Sequence, residues 1–238
     1  MEIITFVLRR SSNRRTLMVR IKETSEVEVV APLYVSVDVI DKFIQDKTHW
    51  INRKISEIRL RQASLKKQTF AHGEFFLFLG KRYPVSVSND TRRWPKIIFT
   101  GGQWNIILPS GFSTETHPSM VKQALWRWYH NQAKEIFGGR IFHFARILQL
   151  APRAIVIKQQ KRLWGSCSFH RQTIHLNWQI VMAPLWVVDY VVVHELCHLK
   201  IPNHSQRFWS CVHQAFPDYK EAKRWLKGHA QDMQFPVE

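Results

Sequence analysis

Cysteine is scarce in this chain: Cys167, Cys197 and Cys211 are the three among 238 residues. An odd number with no framework spacing and no C-x-x-C pair excludes a disulfide scaffold and fits a reducing compartment. Long apolar runs are missing too. No stretch approaches the roughly 20 apolar residues of a spanning helix, so membrane insertion is not expected. The N-terminus "MEIITFVLRRSSNRR" carries its short apolar stretch before its basic cluster, the reverse of a secretory signal, and a cytoplasmic location is the expectation. Acidic residues are few, 18 Asp+Glu against 35 Lys+Arg. Neither an internal repeat nor a low-complexity segment interrupts the chain.

Apolar residues are plentiful. A hydrophobic fraction of 45% with ten tryptophans excludes a disordered chain, because that much buried surface offsets the entropy of ordering. The net charge of +17 can attract nucleic acid, anionic membrane or phosphorylated ligands, and its sign alone does not choose. Residues 1–112 hold 19 basic and 10 acidic groups and residues 113–238 hold 16 and 8, so the charge is spread rather than gathered in a tail.

Periodicity predicts an α+β protein in two parts. In residues 1–112, "EIITFVLRR", "TLMVRIK" and "EVEVVA" read as a three-stranded meander. An amphipathic helix follows, with Ser36 as N-cap and Ile40, Phe43, Ile44, Trp50, Ile51, Ile55 and Ile58 on one stripe. Strand character returns in "EFFLFLGKRYPVSVS", "KIIFT" and "QWNIILP", giving a β-rich N-terminal domain. Residues 113–238 read as a helical catalytic domain with a small sheet: a long helix from Pro118, the strands "AIVIK" and "TIHLNW", then helices from Pro184, Ser205 and "PDYKEAKRWLKGH".

The chemistry lies in "DYVVVHELCHLKIPNHSQRFW", residues 189–209. His194 and His198 are four residues apart, so one helical turn puts both imidazoles on one face, the H-E-x-x-H arrangement. Glu195 is rotated by about 100°, where its carboxylate can serve as general base without ligating. His204 follows six residues after His198, across "LKIPN", with the spacing of a third ligand, although Ile201 replaces the glycine of the extended motif. With 12 histidines, chance would give H-E-x-x-H in roughly 3% of chains of this length and the third histidine as well in about 0.1–0.2%. Zinc, with three protein ligands and an open position for water, suits the set. Cys197 is rotated away from both histidines and reads as a small buried hydrophobe. Tyr190 could donate a hydrogen bond near the metal, and Asp189 is a weaker supporting candidate.

With those residues in view, the chain resembles the YgjP-like metallopeptidases, relatives of the SprT-like zinc proteases. The likeness runs from "RRSSNRRTLMVRI" onward and is most specific in "WGSCS", "LNW", "DYVVVHEL" and "NHSQRFW". Leu163 stands where the family commonly has arginine before the tryptophan. The resemblance implies a zincin-like, zinc-dependent peptidase fold with His194, His198 and His204 at the ligand positions and Glu195 at the catalytic one. It supplies no substrate; a peptide or unfolded protein is the expectation for peptidase chemistry. The strand "TIHLNW" is the expected cleft edge. Two alternatives stay open. The basic "KQQKR", residues 158–162, could hold a triphosphate for a metal-dependent nucleotide phosphohydrolase, and the basic surface could serve a nucleic-acid-associated, SprT-like module.

Overall fold

The computed structural model describes residues 4–22, 24–64, 68–111, 116–160 and 163–236, with backbone alone for 61–64. The chain divides into two compact units, Met1–Lys67 and Gln68–Glu238.

In the first unit, strands β1 (Phe6–Ser11), β2 (Met18–Ile21) and β3 (Val27–Pro32) precede helix α1 (Val37–Ser64). The strand order is β1-β3-β2, with β3 parallel to β1 and antiparallel to β2, so the sheet is not the expected meander. Burial explains the order: β3, "VEVVAP", is almost wholly buried while β1 is mostly exposed, and the most apolar strand takes the centre. Ile40, Ile44 and Ile51 of α1 pack with Val27, Val29 and Ala31 of β3 in one cluster. Trp50, assigned to the same stripe by periodicity, is 38% exposed. The helix also runs past Ile58 into a segment that reads as aperiodic, because straight-chain Arg and Gln favour continuation once a helix is nucleated.

Among the described residues the second unit holds two sheets and four α-helices. Strands β4 (Phe75–Phe78), β5 (Lys81–Asp90), β6 (Lys96–Thr100) and β7 (Gln103–Pro109) form a sheet of order β4-β5-β7-β6. Helix α2 (His117–Leu148) continues unbroken through Gly138–Gly139, each costing about 1 kcal/mol relative to alanine. Its buried seam, from Val121 and Leu125 through Tyr129, Ala133 and Phe137 to Ile141 and Phe144, offsets that cost. Strands β8 (Ala154–Lys158), β9 (Gly165–Ser168) and β10 (Thr173–Asn177) follow in the order β8-β10-β9. A 3-10 turn (Trp178–Met182) leads to α3 (Leu185–His198), α4 (Gln206–Ala215) and α5 (Tyr219–His229). The protein is therefore α+β, with five α-helices among the described residues.

Residue 113, the expected domain boundary, lies outside the described residues. On either side of it, Trp104, Ile106 and Leu108 of β7 share one core with Leu125 and Tyr129 of α2, and the division of contacts instead follows residue 67. The sheet read as N-terminal belongs to the second unit because its apolar face has α2 to bury against. Rings dominate this core; Trp104 touches Phe76, Tyr83, Phe99, Trp128 and Tyr129 at centroid distances of 5.2–6.4 Å.

Two contacts fix α3. The β4–β5 turn, Leu79–Gly80, has positive φ at both residues, and its amides donate to the carbonyls of Val181 and Met182 at 2.9 Å each. A Cβ on Gly80 would lie 2.6 Å from Cγ of Pro184, the residue that caps α3. The turn thus sits directly on the start of the helix. Further along, the Arg140 guanidinium of α2 donates two hydrogen bonds to the Asp189 carboxylate of α3, Nη2 to Oδ2 at 2.8 Å. Asp189 therefore holds helix to helix and is not hydrogen-bonded to the histidines.

Candidate metal centre

Helix α3 is buried on nearly every face, with Val187, Val188, Val192, Val193, Leu196 and Cys197 in the core. That burial explains why "VVDYVVVHEL" is so apolar and why the polar atoms it carries must have a purpose. His194 and His198 leave this helix on one side. After His198 the chain turns, with the Ile201 amide bonded to the Cys197 carbonyl at 3.0 Å, and Ser205 caps α4. The turn returns His204 to the same place. Its Nε2 lies 3.1 Å from Nε2 of His194 and 3.2 Å from Nε2 of His198.

Three imidazole nitrogens converging in this way set lone pairs against one another unless a cation or a shared proton lies among them. Metal–nitrogen bonds of about 2.0–2.1 Å in a tetrahedron place the nitrogens about 3.3–3.4 Å apart, near the two separations that His204 makes. Among the described residues these three histidines form the group able to hold a metal ion, with all ligand atoms within 4.8 Å of one another. The Nδ1 of His198 lies 3.0 Å from the carbonyl oxygen of Ile201. A proton on Nδ1 donated there leaves the Nε2 lone pair for the ion, the usual support of a ligating imidazole. Burial, followed by the neighbouring His198, His204 and Lys223, lowers the pKa of His194 to about 3, and burial also lowers that of His198. Both rings are held neutral, the form that ligates.

Rings of α4 and α5 brace the ligands. Phe208 stacks on His198 at 4.3 Å, and Trp209 stacks on His204 at 5.7 Å and on Tyr219 at 5.2 Å. Lys223 lies over the Trp209 ring at 4.9 Å. These supports escaped the sequence reading, although Phe208 and Trp209 stand four and five residues after His204 in "NHSQRFW".

Glu195 is only 4% exposed, and its Oε2 is buried without a hydrogen-bond partner in the described structure. Burial pushes its carboxyl up to about 8. Gly165, the first residue of β9, faces it so closely that a Cβ there would fall 2.6 Å from Oε1. β9 runs along the edge of its sheet. The strand "TIHLNW", expected at the cleft edge, is instead the central strand β10, and Gly165–Ser168 of "WGSCS" forms an edge strand beside Glu195. Tyr190 sits edge-on to the His194 ring at 5.8 Å, and burial with nearby Glu195 raises its pKa to about 12, so its hydroxyl stays protonated. Cys197 is buried and outside the histidine group, as expected.

Solved structures with similarity to this chain include the metallopeptidase zymogens abylysin of Pyrococcus abyssi and jannalysin of Methanocaldococcus jannaschii. Abylysin is 28% identical with a TM-score of 0.36, over 39% of this chain and 93% of its own. Jannalysin is 24% identical with a TM-score of 0.37, over 40% and 96%. No curated protein matches the chain. The profile of the YgjP-like, metallopeptidase domain matches residues 15–229, nearly the whole sequence, and by that match the chain belongs to the YgjP-like metallopeptidase family.

Proposed function

We propose that this protein is a zinc-dependent peptidase in which His194, His198 and His204 hold the metal and Glu195 is the general base. The convergence of three imidazole nitrogens beside a buried carboxylate carries the reading. Zinc held there would polarise the scissile carbonyl and lower the pKa of water at its open position. Glu195, whose carboxyl pKa burial raises in the metal-free site, would be returned toward the carboxylate by a cation at the histidines, and as carboxylate it would accept the proton of the water and return it to the leaving nitrogen. β9 offers an extended peptide main-chain pairing along its free side, and Gly165 lets that backbone pass close to Glu195. An unfolded protein or flexible peptide, able to add as a strand, is the fitting substrate class. The chemistry requires no membrane, and no helix of the described residues is long and apolar enough to cross one.

The nucleotide phosphohydrolase alternative draws on one observation. Lys161 and Arg162 of the basic segment lie outside the described residues, but Lys223 sets a cation beside the histidines, where a phosphate could use it.

The deciding experiment is Glu195→Gln in zinc-loaded protein, assayed on denatured protein and on nucleoside triphosphates in parallel. Zinc should be retained, since the residue is not a ligand, and cleavage of denatured protein should fall by roughly 10²-fold or more. Wild-type cleavage by the variant would remove Glu195 as base, and hydrolysis of triphosphates alone would replace the peptidase reading.

A further inference from the structure

The sulfurs of Cys197 and Cys211 lie 3.1 Å apart, inside ordinary non-bonded sulfur contact. Both residues are free thiols. Cys197 is on α3 and fully buried, while Cys211 is on α4 and only partly buried, so Cys211 is the member of the pair nearer solvent. A disulfide needs about 2.05 Å between sulfurs, and small rotations about the two Cα–Cβ bonds cover the difference of roughly 1 Å. The chain segment between them is not arbitrary. It contains His198 and His204, two of the three candidate ligands, together with Phe208 and Trp209, whose rings stack on those two histidines. Movement of the start of α4 away from the end of α3 would carry His204 out of the cluster, and a bond between Cys197 and Cys211 opposes that motion.

We propose that Cys197 and Cys211 are a redox-modifiable dithiol, closed to a disulfide by hydrogen peroxide, that staples α3 to α4 around the metal site. The sulfur of Cys211, the less buried residue, attacks hydrogen peroxide, whose O–O bond breaks, giving a sulfenic acid and one water. The Cys197 sulfur then attacks the sulfenic sulfur; the S–S bond forms, the S–O bond breaks, and the thiol proton leaves with the hydroxyl as a second water. Two thiols lose two electrons in total and the peroxide gains them. In a reducing compartment the pair rests as thiols, and the bond forms when peroxide rises. The cross-link does not depend on the peptidase reading. Its effect on the metal does depend on the three-histidine assignment.

The test uses the full chain, with and without zinc, treated with hydrogen peroxide near stoichiometric amounts and mapped by mass spectrometry of a non-reducing digest. Two of the three thiols should disappear, the mass should fall by about 2 Da, and the peptides of Cys197 and Cys211 should be joined, with reversal by dithiothreitol. Cys167, on β9, should remain titratable. Cys211→Ser, or Cys211→Ala should serine unfold the protein, should abolish the joined peptide. Three persistent thiols, separate oxygen adducts on single cysteines, or a bond through Cys167 would overturn the proposal. A chelator should draw zinc from the oxidised protein several-fold more slowly than from the reduced. Equal release from protein carrying the verified bond would overturn the stapling role. If the protein held no zinc at all, the metal assignment would fall and the peptide map would still decide the dithiol.

Discussion

Gly165 and Glu195 are in contact through the hydrogen that glycine has in place of a side chain: a Cβ at 165 would lie 2.6 Å from Oε1, 2.7 Å from Cγ and 2.9 Å from Cδ. Gly165 does not have a positive φ, so its backbone is one that any residue adopts. What the position forbids is volume beside the carboxylate.

Gly165→Ala therefore separates positioning from folding. The methyl group must displace Glu195 by several tenths of an ångström, and misplacement of a reacting group on that scale costs up to about 10²-fold in rate. Overpacking should cost about 1–3 kcal/mol of stability. Zinc content should stay at the wild-type level. A variant with full turnover and unchanged melting would show that the carboxylate has room to move.

One zinc per chain is expected, and His194→Ala, His198→Ala and His204→Ala should each lose it on gel filtration with metal analysis. His204 is the informative member because its ring is exposed and arrives from a turn rather than from α3. Full zinc retention in His204→Ala would transfer the third position to another residue.

The histidine cluster was legible because helical geometry maps i and i+4 onto one face and because the turn after His198 is short; both follow from spacing alone. The helices from Pro184 and Ser205 were equally open, announced by a proline cap and a serine cap before apolar periods. The edge strand was not legible. "WGSCS" has Gly and two serines, which favour turns locally, and becomes β9 only because β10 offers it a partner and Glu195 occupies the space a side chain would take. The three-stranded order of the first unit depends likewise on which strand is most buried, and the sharing of a core between β7 and α2 is a long-range fact that no local pattern carries.

Arg140 and Asp189 join α2 to α3 where a neutral pair would lack directional strength. Arg140→Met leaves the Asp189 carboxylate, 8% exposed, without its partner. Breaking a buried pair this way costs about 3–5 kcal/mol, and the partly solvated arginine puts the expected loss below that range, at roughly 2–3 kcal/mol. Folded variant should still bind one zinc, since neither residue touches the histidines. A urea midpoint equal to wild type would mean that the pair contributes nothing net.

Without metal, the two strongest titrations in the site act in opposite directions. His194 falls from 6.5 in the unfolded chain to about 3 when folded, so its contribution is present above pH 6.5 and lost as pH drops toward 3. Lowering of His198 by burial adds to the same acid arm. Glu195 rises from 4.5 to about 8, so its contribution is present below pH 4.5 and lost as pH climbs toward 8. Between 4.5 and 6.5 Glu195 largely offsets His194, while from 6.5 to 8 Glu195 acts alone among the three. Chelator-treated protein should therefore lose stability, by an amount on the order of 1–2 kcal/mol, as pH is raised from 6.5 to 8. Glu195→Gln should lack that loss, because an amide does not titrate, and the difference between the two proteins cancels every other group. Zinc should also suppress it in the wild type, because a dication beside Glu195 favours the carboxylate. Urea midpoints measured across pH 4–8 on both proteins check this; a wild-type curve parallel to that of Glu195→Gln would show that the carboxyl is not perturbed by its burial.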